Sequence, residues 1–572
     1  MDTNMQESVP ILVSYLNSLA DINPSWSCQN DAHQKYHSNT FSNLLGHEYS
    51  TTKNLEIQRS NNIEKPLFHE ISNPTAHGSL KIEYSPTFGR YLVASRDIDA
   101  GDVVFREKPL VLAPKAGTGP TCLRCLKFLE DAWEVVTGVE LPCARQLARV
   151  VGILLTNARS SPDWDSETAR TCLSLKCSTC CTPLRTLLLL KNNPAAAEVV
   201  AALQSNKEVR RKLQIGHYIE EHVVGTLQKR LNLDVKSDVV HHICGVFDTN
   251  AFEVSVDDSR RGRALFPLGA IMNHSCLPNT QHWFRDGVLI VRAVTDIAAG
   301  ESITNTYTPM LLGTRGRAAH LAATKLFRCA CKRCLDPTEL GSHVSSVLCR
   351  SCSRSDRSFV VPPDGALKDW QCLECQNRMP DVAVETMMRA ANSTRSRVPL
   401  HDLEALRVTS DHLRMMLGKR HYITLEVRYA LMNAIMRQPL RDIKDDDLDI
   451  AVEISGDLLE IASIIDPGFS RFRGLVLLAR IRASTEKLKR SCDNAPLCNG
   501  TSHKSELGRV MQEDEEEEED KELTEMDDAT PRQKAQMLLR EAAECEFILQ
   551  YDPKMEEALA TTNQLRSFLN DS

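Results

Sequence analysis

The spacing of the cysteines constrains this chain more than any other sequence feature. Twenty cysteines are present among 572 residues, and most fall in two stretches, 122–181 and 329–375. In a reducing compartment, cysteines this close together hold metal more often than they form disulfides. The sequence therefore predicts a protein that folds around metal ions.

One group of cysteines has the spacing of a zinc site. Cys349 and Cys352 form one C-x-x-C pair, and Cys372 and Cys375 form a second pair nineteen residues later. Four thiolates in two such pairs are typical of a closed, structural zinc site.

A less regular group lies in the first stretch. Two C-x-x-C pairs there either share a zinc ion or remain unligated; they consist of Cys122, Cys125, Cys177 and Cys180. No histidine lies between residues 122 and 181 to complete a second site.

Composition narrows the class of protein. The chain is too long for one core, and its 42% hydrophobic and 25% charged residues are typical of folded domains. No apolar run reaches the ~18 residues of a membrane span, and no secretory leader is visible. The eight acidic residues from Glu513 to Asp520 account for the whole net charge of −8, so no basic field favours nucleic acid. We expect a nuclear or cytoplasmic protein that binds neither membrane nor nucleic acid directly.

A repeated turn indicates a divided β-domain. The pattern D-I-x-A-G-[DE] occurs at 97–102 and again at 296–301, each time beside alternating strand patterns. Two matching blocks about 200 residues apart predict one β-domain interrupted by an insertion.

The insertion and the C-terminal part have helical patterns. An amphipathic helix is expected from Val199 to Leu231, and helices follow one another beyond about residue 380. Thr530 and Pro531 are suited to cap and begin one of them. The acidic run lies in a predicted loop, 505–528.

Four segments resemble one family. The segment N-H-S-C-L-P-N-T at 273–280 resembles the signature of SET-domain methyltransferases. F-G-R-Y-L-V-A at 88–94 is similar to the cofactor-binding strand, and G-E-S-I-T-N-T-Y at 300–307 is similar to the segment that ends in the channel tyrosine. C-A-C-K-R-C at 329–334 resembles a post-SET zinc segment. With the cysteine-rich insert and helical tail, the chain is identified as a member of the SMYD (SET and MYND) family, arthropod-type branch.

This resemblance implies an α+β fold: a SET-domain β-fold of short strands split by a cysteine-rich and helical insert, a zinc-bound post-SET segment and a C-terminal TPR-like helical domain. The expected divisions are a disordered polar arm (1–77), the SET N-terminal part (78–115), a degenerate MYND-like insert (116–182), a helical insert (183–240), the SET core (241–310), the post-SET and second zinc site (311–378) and the helical domain (379–572).

The resemblance also implies a protein-lysine N-methyltransferase that uses S-adenosylmethionine. Tyr307 matches the catalytic channel tyrosine. The positions that match cofactor contacts are Arg90, Tyr91, Asn250, Asn273, His274, Tyr307 and Phe327. Cys276 matches the fourth ligand of the zinc held by Cys329, Cys331 and Cys334, which brings the expected zinc ions to two, or three if the insert holds one.

Several residues depart from the family pattern. Tyr91 replaces a glycine of the cofactor strand, Lys325 stands where many relatives have an aromatic, and the MYND-type finger lacks its closing histidine. The alternative is therefore a catalytically weak scaffold that acts in transcriptional repression or in protein complexes. The expected partner is a protein substrate with a target lysine, chromatin and corepressor proteins are further candidates, and a monomer is expected.

Overall fold

The structure is a computed structural model, and it describes residues 79–86, 89–114, 178–230, 232–255, 261–352, 358–362, 369–493 and 530–571. It divides into two compact units, Met1–Leu340 and Gly341–Ser572, here called the N-terminal and C-terminal units. The predicted arm, most of the MYND-like insert and the acidic loop lie outside the described residues. No helix in the described ranges is long and apolar enough to cross a membrane.

The N-terminal unit is built from short strands grouped in small sheets. The strands are β1 (Leu80–Ser85), β2 (Gly89–Ala94), β3 (Val103–Glu107), β4 (Val111–Pro114), β5 (Phe252–Ser255), β6 (Arg261–Leu265), β7 (Asn273–His274), β8 (Thr280–Arg285), β9 (Val288–Ala293) and β10 (Thr304–Asn305). β1 and β2 form a hairpin, β3-β9-β8 and β4-β6-β5 are three-stranded antiparallel sheets, and β7 pairs with β10 in parallel. Their buried side chains form one core with those of the neighbouring helices.

The two copies of the repeated turn pair with each other. Ile98 and Ile297 exchange backbone hydrogen bonds of 2.9 Å in both directions. Asp296 accepts from Ala100 N at 2.8 Å, and its counterpart in the first turn, Asp97, accepts from Ala299 N at 2.8 Å. Each turn thus caps the other, which joins the two halves of the interrupted β-domain.

Helices lie between the two β-blocks, within the second block and after it. They are α1 (Ser178–Asn192), α2 (Pro194–Ala202), α3 (Lys207–Arg211), α4 (Gln214–Tyr218), two π-helical turns (Ile219–Val224 and Thr226–Arg230), α5 (Ser237–Asn250), α6 (Pro267–Ala270), α7 (Thr314–Thr324) and α8 (Lys332–Leu335).

The single helix expected from Val199 to Leu231 is wrong. α2 ends at Ala202, and Asn206 adopts a left-handed conformation (φ 52°) before α3 begins. Gly245 of α5 lies so close to Ser205 that a Cβ there would approach the Ser205 carbonyl oxygen to 2.1 Å. The chain between α2 and α3 is therefore packed closely against α5. The hydrophobic pattern of the sequence did not reveal this end of the helix.

The C-terminal unit combines a small sheet with a helical array. β11 (Val347–Leu348), β12 (Phe359–Val361), β13 (Asp369–Cys372) and β14 (Arg378–Pro380) form an antiparallel sheet in chain order. The helices that follow are α9 (Asp381–Ser396), α10 (Leu403–Leu417), α11 (Tyr422–Met436), a 3₁₀ turn (Leu440–Asp442), α12 (Asp445–Ile465), α13 (Arg471–Asp493), α14 (Pro531–Leu549) and α15 (Met555–Asp571).

The start of α14 agrees with its sequence. Thr530 Oγ1 accepts from Gln533 N at 3.3 Å, and Gln533 Oε1 accepts from Thr530 N at 2.9 Å. This reciprocal pair is a capping box, with Pro531 at the first helical position. The mixed strand and helix architecture with a helical C-terminal region confirms the predicted α+β class.

Candidate functional site

The signature segment is held against the segment that contains Tyr307. β7 pairs with β10 so that Asn273 faces Thr304 and His274 faces Asn305. The pairing continues into the next residue, because Ser275 N donates to Asn305 O at 3.0 Å. Residues more than thirty positions apart in sequence are thereby aligned in one site.

Asn279 locks this pairing in place. Its side-chain oxygen accepts from Thr304 N at 2.8 Å, and its Nδ2 donates to Glu301 Oε1 and Ser302 O, both at 2.9 Å. The side chain is buried, so these bonds satisfy a group that would otherwise be costly to bury. The sequence contained Asn279 within the signature motif but indicated no role for it.

His274 orients Tyr307 and approaches a cysteine. Its Nδ1 accepts from Tyr307 N at 3.0 Å, so the proton of the neutral ring belongs on Nε2, which lies 3.2 Å from Cys276 Sγ. Burial lowers the pKa of His274 to about 4, so the ring is neutral at pH 7. The neutral ring therefore accepts a hydrogen bond from the Tyr307 backbone amide and donates one to the Cys276 sulfur.

Tyr307 is held at both its backbone and its hydroxyl group. The hydroxyl donates to Met272 O, and the ring centre lies 5.1 Å from that of His274. Burial raises the pKa of Tyr307 to about 12, so the hydroxyl keeps its proton at neutral pH. Tyr307 can therefore orient a bound group but cannot act as a strong base.

Two of the predicted cofactor contacts present free groups beside this pair. Phe327 has 37% of its surface exposed, and its ring centre lies 5.9 Å from that of His274. Asn273 is half-buried, and its side-chain amide has no hydrogen-bond partner among the described residues. An exposed aromatic ring and an unpaired amide are groups that bind a ligand without first breaking an internal bond.

The other predicted cofactor contacts are already engaged within the protein. Arg90 donates to Ala202 O at the end of α2, and Asn250 Nδ2 donates to Gln204 O, just after α2, at 2.7 Å. Tyr91 donates to Glu83 Oε2 across the β1–β2 hairpin at 3.2 Å. The structure thus brings Asn273, His274, Tyr307 and Phe327 together, and it places Arg90, Tyr91 and Asn250 on neighbouring elements.

Four cysteines converge beside the signature segment. This first cysteine centre consists of Cys276, Cys329, Cys331 and Cys334, whose sulfur atoms all lie within 4.8 Å of one another. Cys276 Sγ is 3.9 Å from Cys329 Sγ and 3.4 Å from Cys334 Sγ. Zn–S bonds of about 2.3 Å in a tetrahedron separate sulfur atoms by about 3.8 Å, so the donor set fits zinc.

A buried network of charged residues packs against this centre. Glu339 Oε2 accepts from Arg317 Nη1 and from Arg333 Nε, both at 2.7 Å, and all three side chains are fully buried or nearly so. Arg317 Nη2 points at Cys334 Sγ at 3.6 Å, and Arg333 Nη1 donates to Cys276 O at 3.4 Å. Four thiolates around a divalent ion carry a net negative charge, which the excess positive charge of this network opposes. These residues have no sequence spacing that could have identified them.

The second cysteine centre lies in the C-terminal unit. Cys349, Cys352, Cys372 and Cys375 also have sulfur atoms within 4.8 Å of one another. Cys349 Sγ is 3.7 Å from Cys375 Sγ, and Cys352 Sγ is 3.8 Å from Cys372 Sγ. The two zinc sites predicted from spacing and resemblance are confirmed as four-cysteine clusters that fit the ion.

Comparison with known proteins agrees with this arrangement. The SET domain family model matches residues 89–308. SET domain-containing protein SmydA-8, isoform A, of Drosophila melanogaster is 32% identical over 351 residues, which span 57% of this chain and 72% of that protein. The chain belongs to the SMYD family.

Two more distant similarities are also found. Histone-lysine N-methyltransferase SMYD3 of Mus musculus is 27% identical over 45% of this chain and 62% of that protein. A crystal structure of the SET domain of LSMT bound to lysine and AdoHcy is 14% identical, covers 74% of this chain and 93% of that chain, and has a TM-score of 0.23.

The MYND-like insert of this SMYD protein is described only at its end. Cys122, Cys125 and Cys177 lie outside the described residues. Cys180 lies near the start of α1, where it is buried and its thiol donates to His222 O at 3.7 Å. A third zinc ion in the insert stays a prediction.

Proposed function

We propose that this SMYD protein is a protein-lysine N-methyltransferase that uses S-adenosylmethionine. The observation that carries the proposal is the β7–β10 pairing, which aligns Asn273 and His274 with Tyr307. Support also comes from curated SMYD relatives named as lysine methyltransferases.

The free groups of the site suit such a cofactor. The exposed ring of Phe327 offers a flat apolar surface for an adenine base, and the Asn273 amide, which has no partner in the described ranges, offers both a donor and an acceptor. The first cysteine centre ties the loop before Asn279 to the segment after Phe327, so the metal would complete the pocket without entering the chemistry. S-adenosylmethionine, when bound, supplies the methyl group on a positively charged sulfur.

Methyl transfer to lysine requires a neutral amine that is aligned with the donor. A free lysine amine has a pKa near ~10.4, and both desolvation and a nearby positive charge lower that value. The chain's own contribution is alignment, because Tyr307 is fixed by His274 at its backbone and by Met272 at its hydroxyl. Its pKa of about 12 fits a group that orients the amine and does not remove a proton.

The test compares two substitutions of the same kind. Tyr307→Phe is expected to lower methyl incorporation from labelled S-adenosylmethionine into cell-extract proteins by about 100-fold, the cost of a small misplacement of reacting groups. Cofactor affinity, measured by calorimetry, should change little. Tyr84→Phe is the matched control, since Tyr84 is 65% exposed on β1 and should leave both quantities unchanged. Equal incorporation by wild type and Tyr307→Phe would refute the role of Tyr307.

The scaffold alternative is decided by the same measurements. Lys325 lies beside Tyr307, which favours reduced activity. Cofactor binding without methyl incorporation by the wild type would support the scaffold, whereas incorporation that depends on Tyr307 would exclude it.

A further inference from the structure

The Lys325 side chain turns back into the site from the end of α7. Its Nζ donates to Thr249 O at 2.6 Å and lies 5.3 Å from the centre of the Tyr307 ring. Thr249 directly precedes Asn250, so the amine bridges the end of α5 and the tyrosine. Among the described residues, no other cationic side chain lies over the Tyr307 ring.

A substrate lysine amine that enters the site would need the same two interactions. An ammonium group is attracted to the face of a tyrosine ring, and it must donate to acceptors when it leaves water. Lys325 already uses the Tyr307 face and the Thr249 carbonyl. It forms no ion pair within the described part of the chain, so the protein holds a half-buried amine with one hydrogen-bond acceptor for three donors.

We propose that Lys325 occupies the amine-binding position of the site, so that a substrate lysine must displace it. This inference rests on the proposed function, because it takes Tyr307 as the wall of the lysine channel. The charged form of Lys325 competes best, since it is attracted to the ring and repels a second ammonium group. The neutral form holds the position less firmly.

The groups around Lys325 determine the pH at which Lys325 loses its charge and this competition weakens. Arg263 approaches from β6 and Asp248 from α5, while Tyr307 and His320 of α7 also face the amine. Burial and then the Arg263 charge lower the pKa of Lys325 to about 8, although Asp248 acts in the opposite direction. About nine tenths of the amine is therefore charged at about pH 7, and about one tenth at about pH 9.

The experiment measures methyl incorporation into cell-extract proteins by wild type, Lys325→Met and Lys325→Arg at pH 7 and pH 9. Lys325→Met should exceed wild type about tenfold at about pH 7, and the ratio should fall towards one at about pH 9, as wild-type Lys325 loses its charge. Lys325→Arg keeps the charge at both values and should stay below Lys325→Met at both. Equal or lower incorporation by Lys325→Met at pH 7, with unchanged cofactor affinity, would overturn the proposal.

A binding measurement separates this proposal from the methyltransferase proposal. Calorimetry with Nα-acetyl-lysine amide, in the presence of S-adenosylhomocysteine, should give tighter binding to Lys325→Met than to wild type at pH 7. If no variant incorporates methyl groups, the proposed activity fails while this measurement still decides the role of Lys325. Unchanged affinity for the probe would overturn the displacement model. Lys325→Gln, which also lacks the charge, gives the same comparison if Lys325→Met does not fold.

Discussion

Each of the two cysteine centres has four cysteine ligands, but the two centres join very different lengths of chain. In the first centre, Cys276 lies 53 residues before its nearest partner in sequence, and it belongs to the signature loop. In the second centre, all four ligands fall between Cys349 and Cys375, at a strand end and in the turns of the small sheet of the C-terminal unit. The first centre therefore joins distant segments of the candidate site, whereas the second joins one short stretch of chain.

The two centres also differ in the side chains that surround them. The first centre contacts His274, which holds Tyr307, and it is backed by the buried Arg317–Glu339–Arg333 network. In the second centre Cys375 is exposed. The same metal chemistry thus has different consequences because the neighbouring side chains differ.

The largest expected effect separates the centres by their ligands. Cys334→Ser and Cys352→Ser should each lower the zinc content from two ions to one per chain, if the insert holds none. A structural zinc site contributes about 10–16 kcal/mol of apparent binding free energy, so the loss of either ion should unfold the segments that it joins. Only Cys334→Ser should abolish cofactor binding in calorimetry, since only the first centre holds the signature loop. Equal loss of cofactor binding in both variants would contradict the division of roles.

The second effect concerns the charges behind the first centre. Glu339→Gln leaves the guanidinium groups of Arg317 and Arg333 buried without a carboxylate, which should cost about 3–5 kcal/mol in the free energy of unfolding. The variant should also release zinc from the first centre to a chelator faster than wild type does. Denaturant unfolding and zinc-release kinetics measure the two quantities.

The control for this prediction is another carboxylate with two cations. Asp238 pairs with Lys207 at 2.6 Å and with Arg211 at 3.3 Å, but its side chain is 53% exposed. Asp238→Asn should therefore cost less than about 1 kcal/mol. A similar loss of stability in both variants would show that burial of the network is not what makes Glu339 important.

The sequence predicted the parts of the molecule that depend on regular spacing. Both cysteine centres follow from ligand spacing or the signature motif, and the interrupted β-domain follows from the repeated turn at 97–102 and 296–301, although the direct pairing of the two turns was not predicted. These features are visible because a fixed backbone geometry requires particular residues at fixed intervals. The domain boundaries, the role of each site residue, the cellular location and the chromatin or corepressor partners stay predictions.

The sequence did not reveal what depends on contacts between distant segments. Glu339 gathers two arginines only because α7 and α8 are folded beside it, and its own backbone adopts a left-handed conformation (φ 50°). Likewise, the position of the Lys325 amine depends on the end of α5. Such networks have no periodic pattern, so residue types and spacing alone cannot indicate them.

The smallest expected effect is a pH dependence that comes from the N-terminal unit alone. Glu107 of β3 is buried, and it accepts from Leu268 N at 2.9 Å and Gly269 N at 3.0 Å in α6, just before the signature segment. Burial raises the pKa of Glu107 to about 7, above its ordinary value, although the two amides act in the opposite direction. The folded state therefore binds this proton more tightly than the unfolded state does.

Stability from Glu107 is thus fully present at low pH and is lost as the pH rises through about 7. Between about pH 5.5 and 7.5 the free energy of unfolding should fall by about 2 kcal/mol from this group. Urea unfolding of the zinc-loaded chain at several pH values measures the change, and Glu107→Gln should remove it, whatever its effect on the baseline. An unchanged pH dependence in Glu107→Gln would assign the titration to another group and would remove this difference between the two regions.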